Sequence, residues 1–106
     1  MIDIVITKCS KQYRELSSHG HAGYGEEGTD IICAAVSALM INTVNSIETF
    51  TEDEFDVKVE DGLLELNFTQ NISLETGLLM DSLVLGIQNI INDNDEQYIQ
   101  LEIKEV

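Results

Sequence analysis

Cys33 and His21 are the residues of this chain best suited to nucleophilic chemistry. A thiol attacks a carbonyl carbon as the thiolate, and an imidazole within hydrogen-bond reach is the common means of removing its proton near neutral pH. Thr29 and Asp30, both good N-cap types, precede an apolar segment of helical period. With Asp30 as the cap, Cys33 takes the third helical position, where unpaired amides and the helix dipole favour a thiolate. Ser37 follows one turn later on the same face. The competing reading is packing: a cysteine on an apolar helix is by default a small buried hydrophobe, and Asp30 is most simply a cap. For Cys9, within an alternating strand pattern, packing suffices, and His19 fits a surface position.

Other constellations carry less. Gly23-Tyr24-Gly25-Glu26-Glu27-Gly28 matches G-x-G-x-x-G ahead of a helix, but a dinucleotide site needs a parallel βαβ unit with a non-anionic turn, and Glu26, Glu27 and Asp30 would repel a pyrophosphate. No Lys-Ser or Lys-Thr pair follows, which excludes a Walker loop. His19, His21, Asp30, Cys33 and Cys9 supply metal-ligand atoms, yet only His19-x-His21 is paired, so no metal site is expected. The glycines Gly23, Gly25 and Gly28 instead read as a loop able to open and close.

The elements that must position these residues follow from periodicity. Residues 2–9 alternate as Ile2, Ile4 and Ile6 against Asp3, Val5 and Thr7, and a second extended stretch runs over 12–18 after a turn at Ser10-Lys11. A helix follows over 31–48, with Ile32, Val36, Leu39, Met40, Val44 and Ile47 on its buried face. Asp61-Gly62 separates two alternating strands, 55–59 and 64–68, as a hairpin. Ser73 caps a second helix to residue 92, with Leu79, Leu83, Ile87 and Ile90 inward, and Ile99, Leu101 and Ile103 alternate in a closing strand. The acidic run 52–54 reads as a solvated turn. The order β-β-α-β-β-α-β predicts an α+β two-layer sandwich, a largely antiparallel sheet with both helices on one face. The first helix is apolar around much of its circumference, which points to a homodimer.

The chain has 106 residues, which fits one domain over residues 1–106. Its 20 Asp plus Glu against 5 Lys plus Arg give a net charge of −15. Lys8, Lys11, Arg14, Lys58 and Lys104 alone cannot build a phosphate-binding surface, so direct nucleic-acid binding and anionic membranes are disfavoured and a basic protein partner is favoured. The start, Met1-Ile2-Asp3-Ile4-Val5, has no secretory pattern, and the apolar run Ile31 to Val36 is too short to span a membrane. A cytoplasmic protein with reduced thiols is expected.

Gly20-His21-Ala22 and Asp30-Ile31-Ile32-Cys33-Ala34-Ala35-Val36-Ser37-Ala38, with eleven residues between His21 and Cys33, closely resemble the bacterial ribosomal-processing cysteine proteases. The resemblance extends over the chain in length, element order and acidity. It implies that Cys33 is the nucleophile and His21 the general base, with Gly20, Asp30 and Ser37 supporting them. It also implies removal of a short apolar, aromatic-ending N-terminal extension from large-subunit ribosomal protein twenty-seven, a homodimer, no cofactor, and a glycine loop that orders over the peptide. That ribosomal protein is basic, in keeping with the charge. A non-catalytic dimeric binding module for such a protein is the alternative, separated by its tolerance of losing the thiol.

Overall fold

The computed structural model describes residues 1–20, 29–94 and 98–106, the side chains of 29, 30 and 94 excepted. The elements run β1 (Ile2–Cys9), β2 (Gln12–His19), α1 (Thr29–Phe50), β3 (Phe55–Glu60), β4 (Leu63–Phe68), α2 (Leu74–Asn94) and β5 (Ile99–Glu105). This is the expected α+β order. The five strands form one sheet, β3-β4-β2-β1-β5, in which every neighbouring pair is antiparallel except β1 with β5.

Turn chemistry sets the two hairpins. Ser10 and Lys11 both have positive φ, 51° and 67°, the requirement of a two-residue turn whose twist matches the flanking strands. In the second hairpin only Gly62 does, at 70°.

Each helix joins strands that run in the same direction, β2 to β3 and β4 to β5. These two crossovers travel in opposite directions across the sheet from oppositely directed strands, so the right-handed rule places both helices on one face. The burial agrees: Ile2, Ile4, Ile6, Leu16, Leu64, Leu66, Phe68 and Ile99 form the covered face of the sheet. Against it α1 sets Ile32, Val36, Met40, Val44 and Ile47, as expected, while Leu39 is only partly buried. The second helix departs from expectation: Thr76, Met80, Leu83 and Ile87 are buried, whereas Leu79 and Ile90 are only partly so. By length and composition both helices are apolar enough to cross a membrane, but in this fold their apolar stripes close the core.

Side-chain clamps fix the helix ends. Thr51 closes the last turn of α1: its amide carries the helical ladder onto the Ile47 carbonyl at 3.1 Å, and its hydroxyl donates to the same oxygen at 2.8 Å. Ser73 caps α2 as expected, its Oγ accepting from the Thr76 amide at 3.2 Å. The acidic run is not wholly a solvated turn. Asp53 Oδ2 accepts from the Ser73 amide at 2.9 Å, the Ser73 hydroxyl at 2.7 Å and the Thr76 hydroxyl, tying the α1–β3 connection to the start of α2. Burial opposes ionisation of Asp53, but the donors on Thr76 and Ser73 prevail and lower its pKa. Elsewhere the Tyr13 hydroxyl donates to Asp81, joining β2 to α2. Burial and the Asp81 carboxylate raise the phenol pKa above its ordinary value.

Candidate active site

Cys33 lies on the flank of α1, half-buried against the core and not in a disulfide. One turn on, Ser37 is exposed on the same flank. Both line a cavity of about 390 Å³ whose other walls are Ile2, Ser18 and Gly20 at the sheet and residues 59–64 at the β3–β4 turn. Three of the expected site residues, Gly20, Cys33 and Ser37, are thus brought to one groove.

Gly20 has a backbone reason to be glycine. Its φ is +98°, and a Cβ there would sit 2.5 Å from the Met1 carbonyl oxygen. Its amide donates to the Gly62 carbonyl at 2.8 Å, which ties the end of β2 to the hairpin turn and closes one end of the groove.

The expected cap is corrected. The helix already includes Thr29, so Asp30 lies within its first turn and does not cap it, and Cys33 is the fifth helical residue, one turn in. Its own amide therefore belongs to the helical ladder. The Cα–Cβ bonds of a helix tilt toward its N-terminus, so the thiol still leans over the first turn. His21, Gly23, Gly25 and Gly28 lie outside the described residues, as does the side chain of Asp30.

The remaining candidates separate from the groove. Ile2 lines it, and Cys9 ends the same strand seven residues later, roughly 23 Å away at the rise of an extended chain. His19 is exposed and follows Ser18; alternation turns it to the sheet face opposite the groove. Among the described residues no group of three His, Cys, Asp or Glu side chains is gathered to hold a metal.

Periodicity did not mark the wall formed by Val59, Glu60, Asp61 and Gly62. Asp61-Gly62 signals a hairpin, but its meeting with α1 depends on β4 pairing with β2, a contact between residues more than forty positions apart.

A half-buried thiol lining a groove beside a hydroxyl, on an α+β scaffold, fits the class of cysteine-dependent enzymes. The chain belongs to the cysteine protease Prp family, whose model matches residues 1–100. It is 29% identical to the ribosomal processing cysteine protease Prp of Staphylococcus aureus (strain Mu50) over 105 residues, 97% of each chain. To the Bacillus subtilis (strain 168) protein of that description it is 26% identical over 80 residues, covering 70% of this chain and 71% of the relative. Among solved structures, it is similar to the S. aureus protease Prp in complex with a covalently linked product peptide: TM-score 0.88, 29% identity, 98% of this chain and 100% of the other. A Streptococcus mutans crystal structure gives 0.87 and 28%, covering 100% and 96%.

Proposed function

We propose that this protease, as one domain over residues 1–106, removes a short apolar, aromatic-ending N-terminal extension from large-subunit ribosomal protein twenty-seven. The observation that carries this reading is the shared groove of Gly20, Cys33 and Ser37 in a chain whose S. aureus relatives were solved with a substrate peptide and with a covalently linked product peptide.

In the proposed mechanism His21 takes the thiol proton and the Cys33 sulfur attacks the scissile carbonyl. Amides at the start of α1 hold the oxyanion. Collapse of the tetrahedral intermediate breaks the C–N bond, and the departing amine takes the proton from His21. Water, deprotonated by His21, then hydrolyses the thioester and restores the thiol. Gly20 shapes the approach to His21, Ser37 offers a hydroxyl one turn from sulfur, and Asp30 supports the helix start. The loop of Gly23, Gly25 and Gly28 closes over the peptide. No cofactor enters.

The setting of this reading is cytoplasmic, without membrane or direct nucleic-acid binding, and the partner is a basic protein. A homodimer is part of it as well: Ile31 is 73% exposed on the outward side of α1, near the exposed Ala34 and Ala38.

Intact mass spectrometry of the full-length ribosomal protein after incubation tests the assignment. Loss of one N-terminal segment ending in an aromatic residue is expected. An unchanged mass, with general protease activity retained, would contradict this substrate.

A further inference from the structure

We propose that Gly62, in the β3–β4 turn, is a positioning residue for the proposed base: its carbonyl fixes Gly20, and thereby the point from which His21 reaches toward Cys33. This rests on the protease reading of the groove and adds to it a residue that works through another.

The sheet delivers Gly20 to the groove with a neighbour on either side. His19 of β2 pairs with Asp3 of β1 and with Leu63 of β4, so one residue further on Gly20 falls opposite Ile2 and Gly62. Toward β4 its amide donates to the Gly62 carbonyl at 2.8 Å. Toward β1 the Met1 carbonyl oxygen lies 2.5 Å from where a Cβ would stand. The contact with Met1 limits where Gly20 can go, whereas the directional bond to Gly62 holds it in one place.

His21 is the next residue, its Cα about 3.8 Å beyond that of Gly20. A base must come within about 2.6–3.2 Å of the atom whose proton it takes, and an error of about 1 Å in such placement can cost about 100-fold in rate. Gly20, Gly62 and Cys33 line one cavity, so the anchor and the sulfur face the same space.

The direction of the Gly62 carbonyl depends on its backbone. Its φ is 70°, a left-handed conformation open to glycine, tolerated by asparagine, disfavoured for alanine and more so for a β-branched residue. A residue drawn to negative φ turns its carbonyl away from Gly20. Hairpin formation alone does not require the glycine, because the first hairpin folds with Ser10 and Lys11 at φ of 51° and 67°. By that precedent a side chain at position 62 leaves the fold standing while it shifts the turn, and with it the bond to Gly20.

The test reads the Cys33 thiol without any substrate. Every protein compared carries Cys9→Ala, so that Cys33 is the one thiol open to iodoacetamide, and alkylation rates are followed from about pH 5 to about pH 9. Gly62→Asn, Gly62→Ala, Gly62→Val and His21→Ala are set against the unsubstituted protein, with urea unfolding of each measured alongside. His21→Ala should be the slowest near neutral pH. Gly62→Asn should stay close to the unsubstituted protein, with Gly62→Ala about twofold and Gly62→Val about fivefold slower, the loss expected of one weakened hydrogen bond. A merely structural glycine would lower the urea midpoints in that order and leave the alkylation profiles of the folded proteins unchanged, which would overturn the proposal. Equal slowing in Gly62→Asn would overturn it too, by tying the effect to the side chain and not to φ. Should Gly62→Val fail to fold, Gly62→Ala decides by the same comparison. If His21→Ala matches the unsubstituted protein, the base assignment fails and the positioning role falls with it. A slow His21→Ala beside unaltered Gly62 variants removes the positioning role alone.

Discussion

At the residue scale, position separates chemically equivalent side chains. The two cysteines and two histidines could not be ranked by residue type. Alternation removes His19 from the groove, because Ser18 lines it and its neighbour must face the other way. On the proposed mechanism, His21→Ala lowers kcat/KM by at least ~100-fold, the usual contribution of a positioned base, while His19→Ala leaves it near wild type. Initial rates on one peptide substrate check this, and the reverse order would shift the assigned base by two residues. Gly20 was legible as part of a motif, but its physical cause, a carbonyl of Met1 where a Cβ would stand, was not. Asp30 read as a cap because Thr and Asp both cap helices and sequence does not say which residue begins the helical dihedrals. The helix takes in both.

At the element scale, alternation and helical period located all seven elements, because each repeats locally what it buries. Their ends depended on hydrogen bonds from elsewhere. The Asp53 clamp shows why: in sequence it is one carboxylate in an acidic run, and its partners Ser73 and Thr76 lie twenty and more residues away. The lowered pKa of Asp53 has a definite consequence for stability. A carboxylate with a lower pKa in the folded state stabilises the fold at pH values above its unfolded pKa, about 4, and that contribution disappears as pH falls through the folded value. Asp53→Asn should therefore destabilise the fold near pH 7, by up to about 1 kcal/mol for a solvent-screened carboxylate whose replacement keeps one acceptor oxygen, with the gap to wild type narrowing below about pH 4. Urea unfolding of both proteins between pH 2 and 7 measures it, and a gap independent of pH would show that the charge is not what the donors hold.

At the scale of the whole molecule, the strand order was not legible, since periodicity reports which face a residue takes and not which strand lies beside it. That order creates the groove by bringing the β3–β4 turn beside the ends of β1 and β2. It also sets where the charges lie. Lys8, Lys11, Arg14 and Lys104 lie toward the far end of β1, β2 and β5 together with Glu15, Glu102 and Glu105, whereas Glu60 and Asp61 stand at the groove with Lys58 nearby, 3.7 Å from Glu60. On the proposed function a basic substrate would be drawn to this acidic chain, and kcat/KM for the intact ribosomal protein should fall as ionic strength rises. A neutral peptide carrying the extension alone should show a flatter dependence, both being measured below saturation. Coincident slopes would mean that the acidic surface does not steer capture.

On the proposed mechanism the nucleophile of this cysteine protease is Cys33. The most direct test is the cleavage rate of a single peptide, ending its apolar extension in aromatic residues, by wild type, Cys33→Ala and Cys9→Ala. Cys33→Ala should fall to the uncatalysed rate while Cys9→Ala, whose sulfur ends the far side of β1, keeps most of the wild-type rate. Equal loss in both variants, or cleavage surviving in Cys33→Ala, would contradict the assignment.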